Sequence, residues 1–123
     1  KKSLNTELLS LFLPDGLLDY FTVTSIDRQQ ESFTIVLEEK NMIPVEYTGN
    51  NLVSKGFYDQ VSIKDFPIRG RACYLQLKRR RWLNESTNQY VSRNWDLVAK
   101  GTRMTQEFAD FLKEMHRYQS SKL

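Results

Sequence analysis

Four consecutive cations, Lys78-Arg79-Arg80-Arg81, close a stretch that otherwise alternates apolar and polar residues, and few arrangements of a chain accommodate both features. The stretch runs from Val61 to Trp82 and reads as two strands joined by a short turn. Val61 and Ile63 alternate with Ser62 and Lys64; Cys73, Leu75 and Leu77 alternate with Tyr74, Gln76 and Lys78. Each run therefore has one apolar face and one polar face at strand period. Pro67-Ile68-Arg69-Gly70 carries the turn chemistry, since Pro fixes one backbone angle and Gly tolerates a positive one. Arg69 and Arg71 then stand at the tip. If the second strand continues through Trp82, Lys78 and Arg80 point to one face and Arg79 and Arg81 to the other. A core cannot take all four, so the run is expected at the surface.

Charge segregation points the same way. Residues 1–54 hold four Lys/Arg against eight Asp/Glu, a net of −4, whereas residues 55–103 hold eleven against four, a net of +7. The overall +3 conceals a basic middle whose natural partner is a polyanion. Lys64 on the first strand and Arg93 further on extend the candidate surface formed by Arg69, Arg71, Lys78, Arg79, Arg80 and Arg81. With 123 residues, the chain is expected to form one domain with its own core.

Cys73 is the only cysteine and His116 the only histidine. An internal disulfide is impossible, and a Cys/His zinc site cannot be built from these residues alone. No cofactor is expected. The absence of a long apolar run and of a signal-like start predicts a soluble cytoplasmic protein without membrane attachment.

The flanks predict α+β architecture, with small antiparallel sheets built from hairpins and a helix near each terminus. Leu4, Leu8, Leu11 and Phe12 fall at helical spacing over 4–13, with Ser3 as N-cap and Pro14-Asp15-Gly16 as the stop. Two readings of that stripe stand: a helix packed on the local sheet, or a dimerisation helix. Leu17 to Phe21 adds one helical turn. Residues 21–26 and 33–38 form a second hairpin whose Phe21, Val23, Phe33, Ile35 and Leu37 cover the first helix. Glu38 and Glu39, at its end, read as solvated surface or as partners, with Glu46, for the cations. Residues 41–56, rich in Asn, Gly and Pro, read as a linker or surface loop and a soft boundary between the acidic and basic halves. After a turn at 83–88, residues 90–95 return as a third strand, making the centre a three-stranded meander with Trp82 and Trp95 as packing anchors. Residues 100–104 form a loop, and Thr105 caps a last helix with Phe108, Phe111, Leu112 and Met115 as its stripe. His116 has no triad-like partner by spacing, so no catalytic role is expected.

Gly56-Phe57-Tyr58, then Val61 to Arg71, then Tyr74-Leu75-Gln76-Leu77-Lys78-Arg79-Arg80-Arg81-Trp82 resembles the N-terminal DNA-binding region of bacterial insertion-sequence transposases of the zinc-ribbon type. The shared pattern is hydrophobic-x-Asp-hydrophobic-Pro-x-x-Gly-Arg running into an Arg-Arg-Arg-Phe/Trp strand. Leu13-Pro14-Asp15-Gly16-Leu17-Leu18-Asp19-Tyr20-Phe21 is similar to the opening of a subgroup of such proteins. The resemblance implies binding of duplex DNA at the element's terminal inverted repeats. Where the family has cysteine knuckles, residues 42–47 and 83–90 contain no cysteine, which implies a metal-free version. It also implies that catalysis lies in a separate transposase chain or in a continuation of this one. A second class of function stays open: an interaction module that docks a catalytic chain or self-associates.

Overall fold

In a computed structural model, which describes residues 4–95 and 106–121, the chain is α+β, with seven strands in two sheets and helices at both ends. The capping roles expected of Ser3 and Thr105, the loop expected over 100–104 and the side chains of Phe108 and His116 lie outside the described residues.

The elements are α1 (Leu4–Ser10), α2 (Leu17–Tyr20), β1 (Phe21–Arg28), β2 (Ser32–Glu39), a 3₁₀ turn (Val45–Tyr47), β3 (Leu52–Phe57), β4 (Val61–Ile68), β5 (Arg71–Lys78), β6 (Arg80–Asn84), β7 (Gln89–Val91) and α3 (Gln106–Ser121). Both predicted hairpins are present and antiparallel: β1 with β2, and β4 with β5. What alternation could not reveal is how they join. β2 and β5 pair in parallel, Phe33 level with Cys73 and Leu37 with Leu77, giving a four-stranded sheet of order β1-β2-β5-β4.

Strand parity then decides the core. Ile35 and Leu37 of β2, Cys73, Leu75 and Leu77 of β5, and Val61 and Ile63 of β4 share one face of this sheet and are all buried. Leu13, Leu17, Leu18 and Phe21 join them from the front of the chain, Phe111, Leu112 and Met115 from α3, and Trp95 beside Phe21. The opposite face carries half-buried Thr34, Val36, Tyr74 and Gln76.

Several expectations need correction. The first helix ends at Ser10, and its stripe does not pack: Leu4, Leu8, Leu11 and Phe12 are 81%, 55%, 75% and 51% exposed, while Leu9 reaches the core. The stretch 41–56 is not an unstructured linker, because it holds the 3₁₀ turn and β3, which pairs with β6. The strand expected over 73–82 breaks at Arg79. β5 ends at Lys78 in the four-stranded sheet, and β6 enters a second sheet of order β3-β6-β7. The returning strand, Gln89–Val91, accordingly pairs with β6, so there is no central three-stranded meander.

The β4–β5 turn is tighter than the Pro-to-Gly span suggests. Ile68 pairs with Arg71, leaving Arg69 and Gly70 as the two loop residues, with φ of 55° and 77°. That is the type I′ pattern, which matches strand twist. Pro67 sits inside β4, where the register shifts between Asp65 and Ile68; on this edge strand its missing N–H breaks no ladder.

Leu37, fully buried at the parallel seam, and Leu8, half in solvent on α1, make a direct comparison. Leu37→Ala is expected to lower unfolding free energy by about 2–5 kcal/mol in urea titration. Leu8→Ala should change it by less than about 0.5 kcal/mol.

Candidate nucleic-acid interface

The point where the chain passes from one sheet to the other determines where the cations go. The β2–β5 ladder ends at Glu38 with Lys78, whose side chains form a partly exposed ion pair at 3.7 Å. One residue on, backbone pairing stops and the Glu39 carboxylate takes over: its Oε1 accepts the Arg80 backbone N–H at 2.9 Å. Tyr58 N–H donates to the Arg79 carbonyl at 2.9 Å, and Phe57 pairs with Arg80, pinning the start of the second sheet.

Glu39 is only 1% exposed, contrary to the solvated reading of this carboxylate. Its Oε2 accepts from Arg93 Nε at 2.8 Å, and the same guanidinium donates to the Met42 carbonyl at 2.6 Å. Arg93 is itself buried and lies over the rings of Tyr20, Trp82 and Trp95 at 5.2, 5.8 and 5.7 Å. Trp82 Nε1 donates to Asn41 Oδ1 at 2.9 Å, so the stretch read as a linker supplies part of the site's wall. The two tryptophans are packing anchors: Trp82 is fully buried, and Trp95 stacks on Phe21 and meets Tyr20 edge-on.

Burial pushes the Glu39 carboxyl above its ordinary value of 4.5. The hydrogen bonds from Arg93 and from the Arg80 backbone, with the charges of both arginines, pull it back. Arg80 Nε donates to the Glu39 carbonyl at 2.9 Å, its Nη1 donates to Ser54 Oγ at 2.5 Å, and its guanidinium lies 4.8 Å from the Phe57 ring centroid. Arg79 is buried beside Tyr58, with Nη2 3.5 Å from the Asp59 carbonyl and no partner for Nε among the described residues. Burial draws the Arg79 guanidinium below its ordinary value and pushes the Tyr58 hydroxyl up from 10.0.

The eight sequence-predicted residues therefore do not form one surface. Arg79, Arg80 and Arg93 are gathered around Glu39 and the junction. Arg81 lies half-buried on the outer side of β6, its Nε donating to the Lys55 carbonyl at 3.1 Å and its guanidinium 4.8 Å from the Tyr90 ring centroid. Lys78 faces Glu38. Arg69 is exposed and Arg71 half-buried at the β4–β5 hairpin tip, and Lys64 is exposed further down β4, level with Tyr74. Alternation could not have shown this division, because it depends on the sheet change at Arg79. Neither Arg28 nor Phe33 entered the predicted set, although Arg71 lies over Phe33 at 5.3 Å. The signal available was the short β1–β2 connection, which places Arg28 opposite Phe33.

Cys73 is fully buried, and burial followed by the charge of Asp65 raises its thiol above 9.0, leaving it without nucleophilic character. Among the described residues, no group of three His, Cys, Asp or Glu side chains is placed to hold a metal ion, and no helix is long and apolar enough to cross a membrane. No family model, curated protein or solved structure matches the chain.

Removing Arg93 leaves a buried carboxylate without its cation. Arg93→Met is expected to cost about 3–5 kcal/mol at neutral pH. Without Arg93 the Glu39 carboxyl rises further above its unfolded value of 4.5. Between those two values the folded state holds more protons than the unfolded one, so the variant loses stability as pH rises through that window. Glu39→Gln combined with Arg93→Met should flatten this dependence in denaturant titrations across pH 4–8, a range chosen around the unfolded carboxylate value. Arg79→Ala/Arg80→Ala/Arg81→Ala is expected to unfold the β3-β6-β7 sheet, as loss of amide-exchange protection at Arg80–Asn84 will report.

Proposed function

We propose that this chain is the non-catalytic N-terminal DNA-binding region of an insertion-sequence transposase, contacting duplex DNA of the terminal inverted repeats through the tip of its basic β4–β5 hairpin. The observation that carries this reading is Arg69. It is an exposed arginine held at a φ of 55° in the first loop position of a two-residue turn. Left-handed backbone costs a residue with a Cβ about 1 kcal/mol, and this loop position favours Asn, Asp or Gly. A locally unfavourable residue with no acceptor for its side chain among the described residues suggests a use outside the fold. Arg71 follows it across the turn, and Lys64 lies on the adjoining strand. The resemblance of residues 56–82 to the transposase region supplies the biological setting. Arg81 with Lys55 forms a smaller basic area on the second sheet, while Arg79, Arg80 and Arg93 act by holding the fold. Catalysis is assigned to another chain or to a continuation, as the resemblance implies.

A second reading, an interaction module that docks a catalytic chain or another copy, is favoured by the exposed Leu4, Leu8, Leu11 and Phe12, together with Phe66 at 74% exposure. Its signature is a sedimentation coefficient that rises with protein concentration and stops doing so in Leu8→Glu/Leu11→Glu.

For the DNA reading, affinity for a duplex should fall steeply with salt. Arg69→Asn, which suits the turn better, is expected to match or exceed the parent in stability while lowering the log K against log salt slope by about 0.9. Fluorescence anisotropy at several salt concentrations measures this. A parent protein that fails to bind any duplex at roughly 50 mM salt, a concentration at which phosphate contacts are strong, sinks the DNA reading.

A further inference from the structure

Two arginines share one ring at the same end of the sheet. Arg28 of β1 is paired with Phe33 of β2, and Phe33 is level with Cys73 of β5. Arg71, two residues before Cys73, projects from the same side of the sheet as the ring. The guanidinium carbons of Arg28 and Arg71 lie 5.8 and 5.3 Å from the Phe33 centroid. Arg28 is exposed, and Phe33 and Arg71 are half-buried, so the cluster opens to solvent.

Its chemistry differs from that of the other arginines. Arg80, Arg81 and Arg93 each donate to a carbonyl, hydroxyl or carboxylate. Among the described residues nothing accepts from the side chain of Arg28 or Arg71, and no carboxylate pairs with either. Asp65, at the far end of the same row across the sheet, has its carboxyl raised by burial and by Glu107, with neither arginine acting on it. The ring holds each guanidinium by its face and restricts its plane, while the N–H edges stay available. Two like charges at one ring repel each other, and an anion bound at either guanidinium relieves that repulsion. A guanidinium edge matches two phosphate oxygens.

We propose that Arg28, Phe33 and Arg71 form a phosphate clamp for the DNA backbone. The proposal rests on the DNA-binding reading and deepens it, since Arg28 and Phe33 belong to the acidic front half and extend the contact surface beyond the hairpin tip. The ring sets orientation and the two forks take one phosphodiester, or successive ones along a strand.

Two measurements on the full chain test it. In the first, inorganic pyrophosphate is titrated at constant ionic strength while arginine Nε–Hε resonances are followed by NMR. Arg28 and Arg71 are expected to move together along one saturable curve, with Arg81 still. Phe33→Leu should weaken that binding about two- to fivefold, the equivalent of one exposed cation–π contact. Arg28→Lys/Arg71→Lys, which keeps the charge but not the fork, should bind pyrophosphate more weakly than the parent when both are titrated by calorimetry. Shifts no larger than those in sodium chloride, or equal movement of Arg81, overturn the clamp. In the second, duplex binding by Arg28→Ala/Arg71→Ala is compared with the parent across salt, and the slope should fall by about 1.8, two phosphate contacts. The Lys pair, expected to lose affinity with most of the slope retained, replaces the Ala pair if its circular dichroism departs from the parent's. A parent that binds duplex with a slope and affinity that the double variants leave unchanged overturns the clamp and leaves the DNA reading standing. Pyrophosphate binding in a parent that binds no duplex overturns both.

Discussion

Glu39 and Arg93 are the interaction on which the two sheets depend. A carboxylate at the last residue of β2 satisfies two needs at once: it receives the backbone N–H that the end of the β2–β5 ladder would otherwise orphan, and it neutralises an arginine enclosed by Tyr20, Trp82 and Trp95. Desolvating such a pair is expensive, and replacing it wholesale by apolar residues is often no worse for stability. What apolar residues would not reproduce is direction. The carboxylate fixes where β5 ends and β6 begins, and Arg93 ties Met42, in the connection leading toward β3, to the chain that follows β7.

Contiguity of charge in a sequence differs from contiguity in space. Lys78, Arg79, Arg80 and Arg81 meet four different surroundings: an ion pair with Glu38, a buried niche beside Tyr58, the junction at Glu39 and Ser54, and the outer side of β6 against Tyr90. Backbone carbonyls of Glu39, Met42, Lys55 and Asp59 absorb much of the guanidinium donor capacity there. Among the described residues, nothing accepts from the side chains of Arg28, Arg69 and Arg71; Arg28 and Arg71 come from two halves of the chain of opposite net charge and reach the same Phe33 ring only because the hairpins lie side by side.

The parts of this architecture legible in the sequence are those governed by local period. Alternation at 61–66 and 73–77 identified the hairpin and the buried faces of its strands, and the Thr/Val/Ile/Phe content of 21–38 identified its neighbour. The parallel seam was not legible, because a strand whose apolar face is covered looks the same whichever way its neighbour runs. The split at Arg79 was hidden because the four cations carry no apolar period: the apolar positions 73, 75 and 77 give way to Trp82 on the opposite parity, and the charged run between them reads as one strand end. β3 went unread since its Ser54, Lys55 and Gly56 carry little strand signature, and its pairing with β6 is a tertiary matter. For the site, residue type was informative and location was not: an arginine reads the same in sequence whether it faces Glu39 or solvent.

The parallel seam also shapes how the chain is made. A lone hairpin is marginal in water, and β1–β2 cannot bury Ile35 and Leu37 fully until β5 arrives beside it. Its partner residues, 72–78, lie about forty residues downstream of 32–38, and such non-local pairing slows folding. At about 5–20 residues per second on the ribosome, the first hairpin waits roughly two to eight seconds with a strand edge and an apolar face uncovered. The nascent chain therefore passes through an interval in which β2 presents Ser32–Glu39 to whatever is nearby, and the order of synthesis, acidic half first, places a net negative charge on that waiting segment.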